Sequence, residues 1–139
     1  MDDAATHKSQ LSFSTVLVVD DEPLVRAVVC ENLRDFGWRA LEAHDAREAI
    51  QILEGKELVH LVFSDIQMPG MDGFELMRWI REHRPGLRVL LASGVESVKT
   101  AGGYLSTPRW LVFKPYSMTE VDARLREMLA EPNGKPSQS

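Results

Sequence analysis

Five short apolar runs, each too short to be a helix, are separated by stretches with helical spacing. This alternation constrains the fold more than any other feature of the sequence. Val16–Val19 (VLVV) is apolar throughout, as a strand buried on both faces must be. Further strand candidates follow at Arg39–Ala43, which is short and carries two charges, and at Leu58–Ser64, Arg88–Ala92 and Trp110–Phe113. Helices are predicted between them. Pro23–Phe36 carries Val25, Val28, Val29, Leu33 and Phe36, with Pro23 in its first turn and Gly37 as its stop. Asp45 opens a second helix, with Glu48 completing a capping box and Gly55 ending it. Gly73–Arg84, with Phe74, Leu76, Met77 and Ile80 at helical spacing, is a third, stopped by Pro85. Ser117–Ala130 is the last, with Ser117 and Glu120 as a capping box and Val121, Leu125, Met128 and Leu129 as its buried face. Between Val95 and Pro108 the glycines Gly102 and Gly103 leave room for a short helix only, about Glu96 to Ala101. Strands alternating with helices predict an α/β fold, a doubly wound parallel sheet covered by helices on both faces.

In such sheets ligands bind beyond the carboxyl ends of the strands. Asp20 and Asp21 follow the first run, Asp65 the third, Ser93 the fourth and Lys114 the fifth. Ionisable groups thus converge on one edge of an otherwise apolar sheet. Three carboxylates brought together repel, and at least one must resist ionisation unless a cation compensates. A hard divalent ion such as Mg²⁺ suits a carboxylate-and-water site, and the Lys114 ammonium can reach in as a point charge. Such a site is receptive to a phosphoryl group, whose transfer needs positioning and charge neutralisation. An aspartate is a competent nucleophile for it. Taken alone, an Asp pair after a strand is usually a solvated turn or helix cap, and Ser93 an ordinary loop serine. Their placement at matching strand ends favours the site.

Other features restrict the function less sharply. The chain has 139 residues and 44% apolar composition, enough for one packed domain from about residue 13 to 130. Residues 1–12 are polar and without periodicity. Residues 131–139 (EPNGKPSQS) have the composition of a frayed tail. A net charge of −5 argues against a broad nucleic-acid footprint. No stretch approaches the roughly 20 apolar residues of a membrane span, and the polar N-terminus carries no signal-peptide core, so a cytoplasmic setting is the default. Cys30, the single cysteine, is expected to be a buried helix residue. His44, His60 and His83 lie on different elements and are read as structural or surface groups. Trp38, Trp79 and Trp110 are read as core or interface residues, Met68, Met71 and Met77 as packing, and Arg78, Arg81 and Arg84 as a solvated face.

VLVVDDEPLVR (Val16–Arg26), SDIQMPGMDGFEL (Ser64–Leu76), the ASG around Ser93 and the FKPY around Lys114 resemble the receiver domain of two-component response regulators, in order and spacing. The resemblance covers about Val16 to Leu129. It implies a flavodoxin-like sheet in the order 2-1-3-4-5. It implies Asp65 as phosphoacceptor and Asp21 as a direct Mg²⁺ ligand. Asp20 would act partly through water, and the backbone carbonyl of Gln67 would complete the protein ligands. Ser93 and Lys114 would contact the phosphoryl oxygens, Gly94 would leave room for them, and Lys114–Pro115 would be cis. Pro69, Asp72 and Gly73 would shape the loop after Asp65, with Gly73 permitting a tight turn. The phosphodonor would be a histidine kinase or phosphotransfer protein, and the chain would catalyse only its own phosphorylation and dephosphorylation. One departure stands out. Where the family often has Tyr or Phe three residues before the lysine, this chain has Leu111, with Trp110 expected on the opposite side of the strand.

With nine residues after Ala130, the chain is expected to act through protein partners or to be a receiver cut from a larger regulator or hybrid kinase. The alternatives are a degenerate receiver that binds partners without phosphorylation, an aspartate-dependent phosphatase, or a flavin binder. Against the last two stand the missing Gly-rich loop after Val19, the absence of a capping segment, and the repulsion of a flavin phosphate by Asp20 and Asp21.

Overall fold

The structure, a computed structural model, describes residues 14–94 and 108–131. Its elements are β1 (Thr15–Val19), α1 (Pro23–Asp35), β2 (Arg39–Ala43), α2 (Ala46–Glu54), β3 (Leu61–Asp65), α3 (Gly73–His83), β4 (Arg88–Ser93), β5 (Leu111–Phe113) and α4 (Met118–Ala130). The strands form one parallel sheet in the order β2-β1-β3-β4-β5, as the sequence predicted. The short helix expected near Glu96 lies outside the described residues.

Period-two alternation divides the apolar side chains between two layers. Val16 and Val18 of β1 and Leu61 and Phe63 of β3 pack with α1 and α4. Leu17 and Val19 of β1 and Val62 of β3 pack with α2 and α3. Buried on both sides, β1, β3 and β4 need the continuous apolar runs found in the sequence, whereas the edge strand β2 (RALEA) exposes Arg39 and Glu42.

Several boundaries and faces differ from expectation. Leu58 is 68% exposed, and β3 starts three residues later and extends through Asp65. On α1, Val28 is 55% exposed, and Cys30 takes the buried position beside Val29 and Leu33. On α3, Phe74 is half-exposed while Leu76, Met77 and Ile80 are buried. Arg84 is not part of a purely solvated face, because its Nη2 donates to the Leu53 carbonyl at 2.7 Å and ties the end of α3 to α2.

The caps follow the residue chemistry. Asp45 and Ser117 each accept from the backbone N–H three residues on. Glu48, however, reaches back to the His44 N–H, one residue before the cap. The reciprocal capping box sits instead at Asp72 and Glu75, at the start of α3.

A buried polar tie joins the turn between α1 and β2 to α4. The Trp38 indole N–H donates to Asp122 Oδ1 at 2.8 Å, and Arg126 Nε approaches the same carboxylate at 2.9 and 3.0 Å. Asp122→Ala leaves the buried indole donor without a partner, a loss of about 1–3 kcal/mol. The expected outcome is a Tm lower by roughly 4–10 °C for a domain of this size, read by thermal melting in circular dichroism. An unshifted melt would show that the tie contributes nothing.

Candidate functional site

The residues singled out in the sequence meet at the carboxyl edge of the sheet. β1 delivers Asp20, whose N–H donates to the Ala43 carbonyl and continues the β1–β2 ladder by one bond. Asp65 is the last residue of β3, paired across to Ala92 of β4. Ser93 ends β4, opposite Phe113 of β5, and its carbonyl accepts from the Lys114 N–H at 2.8 Å. Strand pairing alone therefore sets four of the groups side by side.

One oxygen from each of Asp20, Asp21 and Asp65 lies within 4.8 Å of the others. Asp20 and Asp65 are 6% and 9% exposed, and Asp21 is partly open. Lys114 Nζ stands 2.9 Å from Asp65 Oδ1. Burial raises the Asp20 carboxyl above its ordinary range. The Glu22 N–H, donating to Asp20 Oδ1 at 2.9 Å, opposes that rise; the charge of Asp65 reinforces it, Lys114 offsets it, and Asp21 adds to it. One ammonium thus faces three carboxylates, a set that a second cation would relieve.

The donor set fits a hard divalent ion. Oxygens sharing one Mg²⁺ at about 2.1 Å stand at most about 4.2 Å apart, so small side-chain adjustments suffice. Gln67 lies in the loop after β3 with its side chain exposed.

The surroundings shape the site further. A Cβ built on Gly94 meets nothing within 4 Å, in keeping with an open approach to Ser93, whose Oγ donates to the Gly94 carbonyl. Lys114–Pro115 is cis. Gly73 acts differently from expectation. Its φ is not positive; the positive-φ glycines among the described residues are Gly37, Gly70 and Gly86. Gly73 is instead a point of close approach, where a Cβ would stand 2.5 Å from the Asp65 carbonyl oxygen.

The sequence did not single out Tyr116, which packs edge-on against Phe63 with ring centroids 5.6 Å apart. Burial, then the charges of Asp20 and Asp65, push its hydroxyl up to about 12, so it stays protonated beside the acids. The sequence also gave no role to Arg26, whose guanidinium reaches the Asp20 carbonyl. Arg26 lies six residues from Asp20, and Asp20 precedes the helix, so helical side-chain spacing gave no signal for this contact.

Leu111 is buried in the α2–α3 layer. Trp110 lies in the turn just before β5, and its carbonyl accepts the Leu91 N–H at 2.7 Å. Its ring meets Phe74 of α3 edge-on at 6.3 Å and touches both apolar layers.

The remaining candidates stay away from the acids. Burial pushes the Cys30 thiol up to about 11, which disfavours thiolate chemistry. His60 Nδ1 accepts from the Thr15 N–H, His83 stacks on Trp79 at 4.3 Å, and His44 lies between Asp45 and Glu48.

Comparison with known proteins agrees with this geometry. The profile described as "Response regulator receiver domain" matches residues 16–126. The "Probable transcriptional regulatory protein TcrX" of Mycobacterium tuberculosis is 37% identical over 83% of this chain and 49% of its own length. The "Sensor kinase CckA" of Brucella abortus is 34% identical over 84% of this chain, but only 12% of that kinase is covered. The chain thus spans about half the length of the first of these relatives and far less of the second. Among solved structures, the response regulator protein TrrA from Thermotoga maritima, crystallised with Mg²⁺-BeF, superposes with a TM-score of 0.67 at 26% identity, covering 84% of this chain and 99% of that one.

Proposed function

The chain belongs to the response regulator receiver domain family, and on that premise we propose that Asp65 accepts a phosphoryl group from a partner protein. The donor is a phosphohistidine of a histidine kinase or phosphotransfer protein. An Asp65 carboxylate oxygen bonds to phosphorus, the P–N bond breaks, and its electron pair returns to the imidazole, which takes up a proton. The observation that carries this reading is the Lys114 ammonium 2.9 Å from Asp65, within a group of three carboxylates.

Asp20, Asp21 and Asp65, with the Gln67 carbonyl, would hold Mg²⁺. When bound, the ion supplies charge neutralisation between carboxylate and phosphoryl oxygens. The chain's own residues do the rest. Asp65, fixed at a strand end, presents its oxygen in one direction. Lys114 leaves the bare carboxylate for the phosphoryl oxygens, and the hydroxyl of Ser93, which ends the strand beside Asp65 and now donates to the Gly94 carbonyl, turns to join it. The acyl phosphate then biases an existing conformational equilibrium through different Ser93 and Lys114 contacts in its two states. The chain turns over no other substrate and signals through protein contacts in the cytoplasm. Among the described residues no helix is long and apolar enough to cross a membrane, in keeping with that setting.

Incubation with Mg²⁺ and a small phosphodonor, followed by intact mass measurement, is expected to show one added phosphoryl group. The adduct should be stable to acid, labile to base and absent from Asp65→Asn. Steady turnover of the donor without an adduct on Asp65 would point to a phosphatase. No adduct with any donor would make the chain a phosphorylation-independent binding module.

A further inference from the structure

We propose that Arg26 is a positioning residue for the acid loop, bracing the Asp20 backbone against Glu42 of β2 and so setting the loop's affinity for a divalent cation it never touches. This inference rests on the metal reading given above.

The Arg26 side chain is part-buried, 15% exposed. Its Nη1 donates to the Asp20 carbonyl at 2.7 Å and its Nε to Glu42 Oε1 at 3.0 Å. Glu42 precedes Ala43, whose carbonyl accepts the Asp20 N–H. The Asp20 Oδ1 accepts from Glu22, whose carbonyl in turn accepts the Arg26 N–H at 2.9 Å. These bonds close a ring from β1 through the loop and the first turn of α1 to β2 and back. Asp20 is held at its N–H, its carbonyl and one carboxylate oxygen.

A second observation shows why such a brace is needed. The starts of α2, α3 and α4 are fixed by the side chains of Asp45, Asp72 and Ser117. The start of α1 has no side-chain cap: Glu22 stands at the cap position without such a bond. The loop carrying two mutually repelling aspartates is therefore the one helix entry, among the described residues, without this restraint. Arg26 supplies restraint from the carbonyl side. Its guanidinium is paired with Glu42, which also faces Arg34 at 3.9 Å, and what it contributes to the loop is a fixed position for the Asp20 backbone.

Uptake of Mn²⁺, a paramagnetic stand-in for Mg²⁺, is measured from the free-ion electron paramagnetic resonance signal on the whole chain. Arg26→Gln is expected to weaken binding by about tenfold, the low end for residues that orient metal ligands. Arg26→Lys should recover part of it, because an ammonium can still reach the Asp20 carbonyl. It also serves if Arg26→Gln does not fold. Asp122→Asn, on the α4 side of the fold, should lower stability without changing the affinity. Equal affinity in wild type and a folded Arg26→Gln overturns the inference, as does an equal loss in Asp122→Asn. Wild-type protein that takes up no Mn²⁺ overturns the metal reading, and this inference with it.

Discussion

Gly73→Ala is expected to destabilise the protein by about 3 kcal/mol and lower its Tm by roughly 10 °C, the largest stability loss for a single added methyl near the site. The new Cβ would meet the Asp65 carbonyl oxygen at 2.5 Å, the Ile66 Cα at 2.8 Å and the Asp65 carbonyl carbon at 3.2 Å. All three are backbone atoms, so no flexible side chain can swing aside. The helix start cannot back away cheaply either. The Gly73 N–H donates to the Ile66 carbonyl at 2.8 Å, and the Asp72–Glu75 box fixes the turn just before it. Relief must come from moving the end of β3 or the start of α3. Moving β3 displaces Asp65, so the melt should fall together with Mn²⁺ affinity. A Tm within about 2 °C of wild type would show that the helix start yields freely.

Asp20→Asn is expected to do the reverse to the metal-free protein. The Asp20 carboxyl is raised from its ordinary 3.8, first by burial and then by Asp65, against the Glu22 N–H bond that favours its charge. A group whose pKa is higher folded than unfolded contributes stability below the unfolded value and loses it as pH rises through the folded one. At neutral pH the ionised Asp20 therefore costs stability. Asparagine keeps an oxygen for the Glu22 N–H and removes the charge. In a chelator at pH 7, Asp20→Asn should melt a few degrees above wild type, and the gap should close as pH falls toward 3.8. With Mg²⁺ in excess the order should invert, because ligand binding stabilises only the chain that binds well. The variant's affinity should drop by about a hundredfold. A wild type that melts above the variant in chelator at pH 7 would contradict this account.

The parallel sheet was legible because both faces of its inner strands are covered, so VLVV and RVLLA need no polar partner residues and read as uninterrupted runs. Asp20, Asp65, Ser93 and Lys114 were legible because each ends such a run. What the sequence hid depends on distances between backbones. Gly73 looks like a turn glycine until α3 is seen resting on Asp65 and Ile66. Arg26 looks like a solvated helix residue until its reach to the Asp20 carbonyl is measured. Val28 and Phe74 fit a helical stripe by spacing, yet both are half-exposed, because apolar periodicity marks a face without fixing its width. Trp110 was expected within β5 but lies in the turn just before it, against Phe74 of α3 and both apolar layers, because strand ends are the least legible part of an element.

A sheet with grease on both sides has a difficulty that half-wet sheets escape. Sliding one strand by a residue exchanges its two sets of side chains, but each set lands among apolar neighbours, so polarity does little to forbid the slip. Here the ladder is pinned beyond its ends: Asp20 N–H to Ala43, Ile66 N–H to Ala92 and Lys114 N–H to Ser93. The residues of the candidate site are also the bookends of the architecture, and drift in alignment would scatter them before it exposed anything to water.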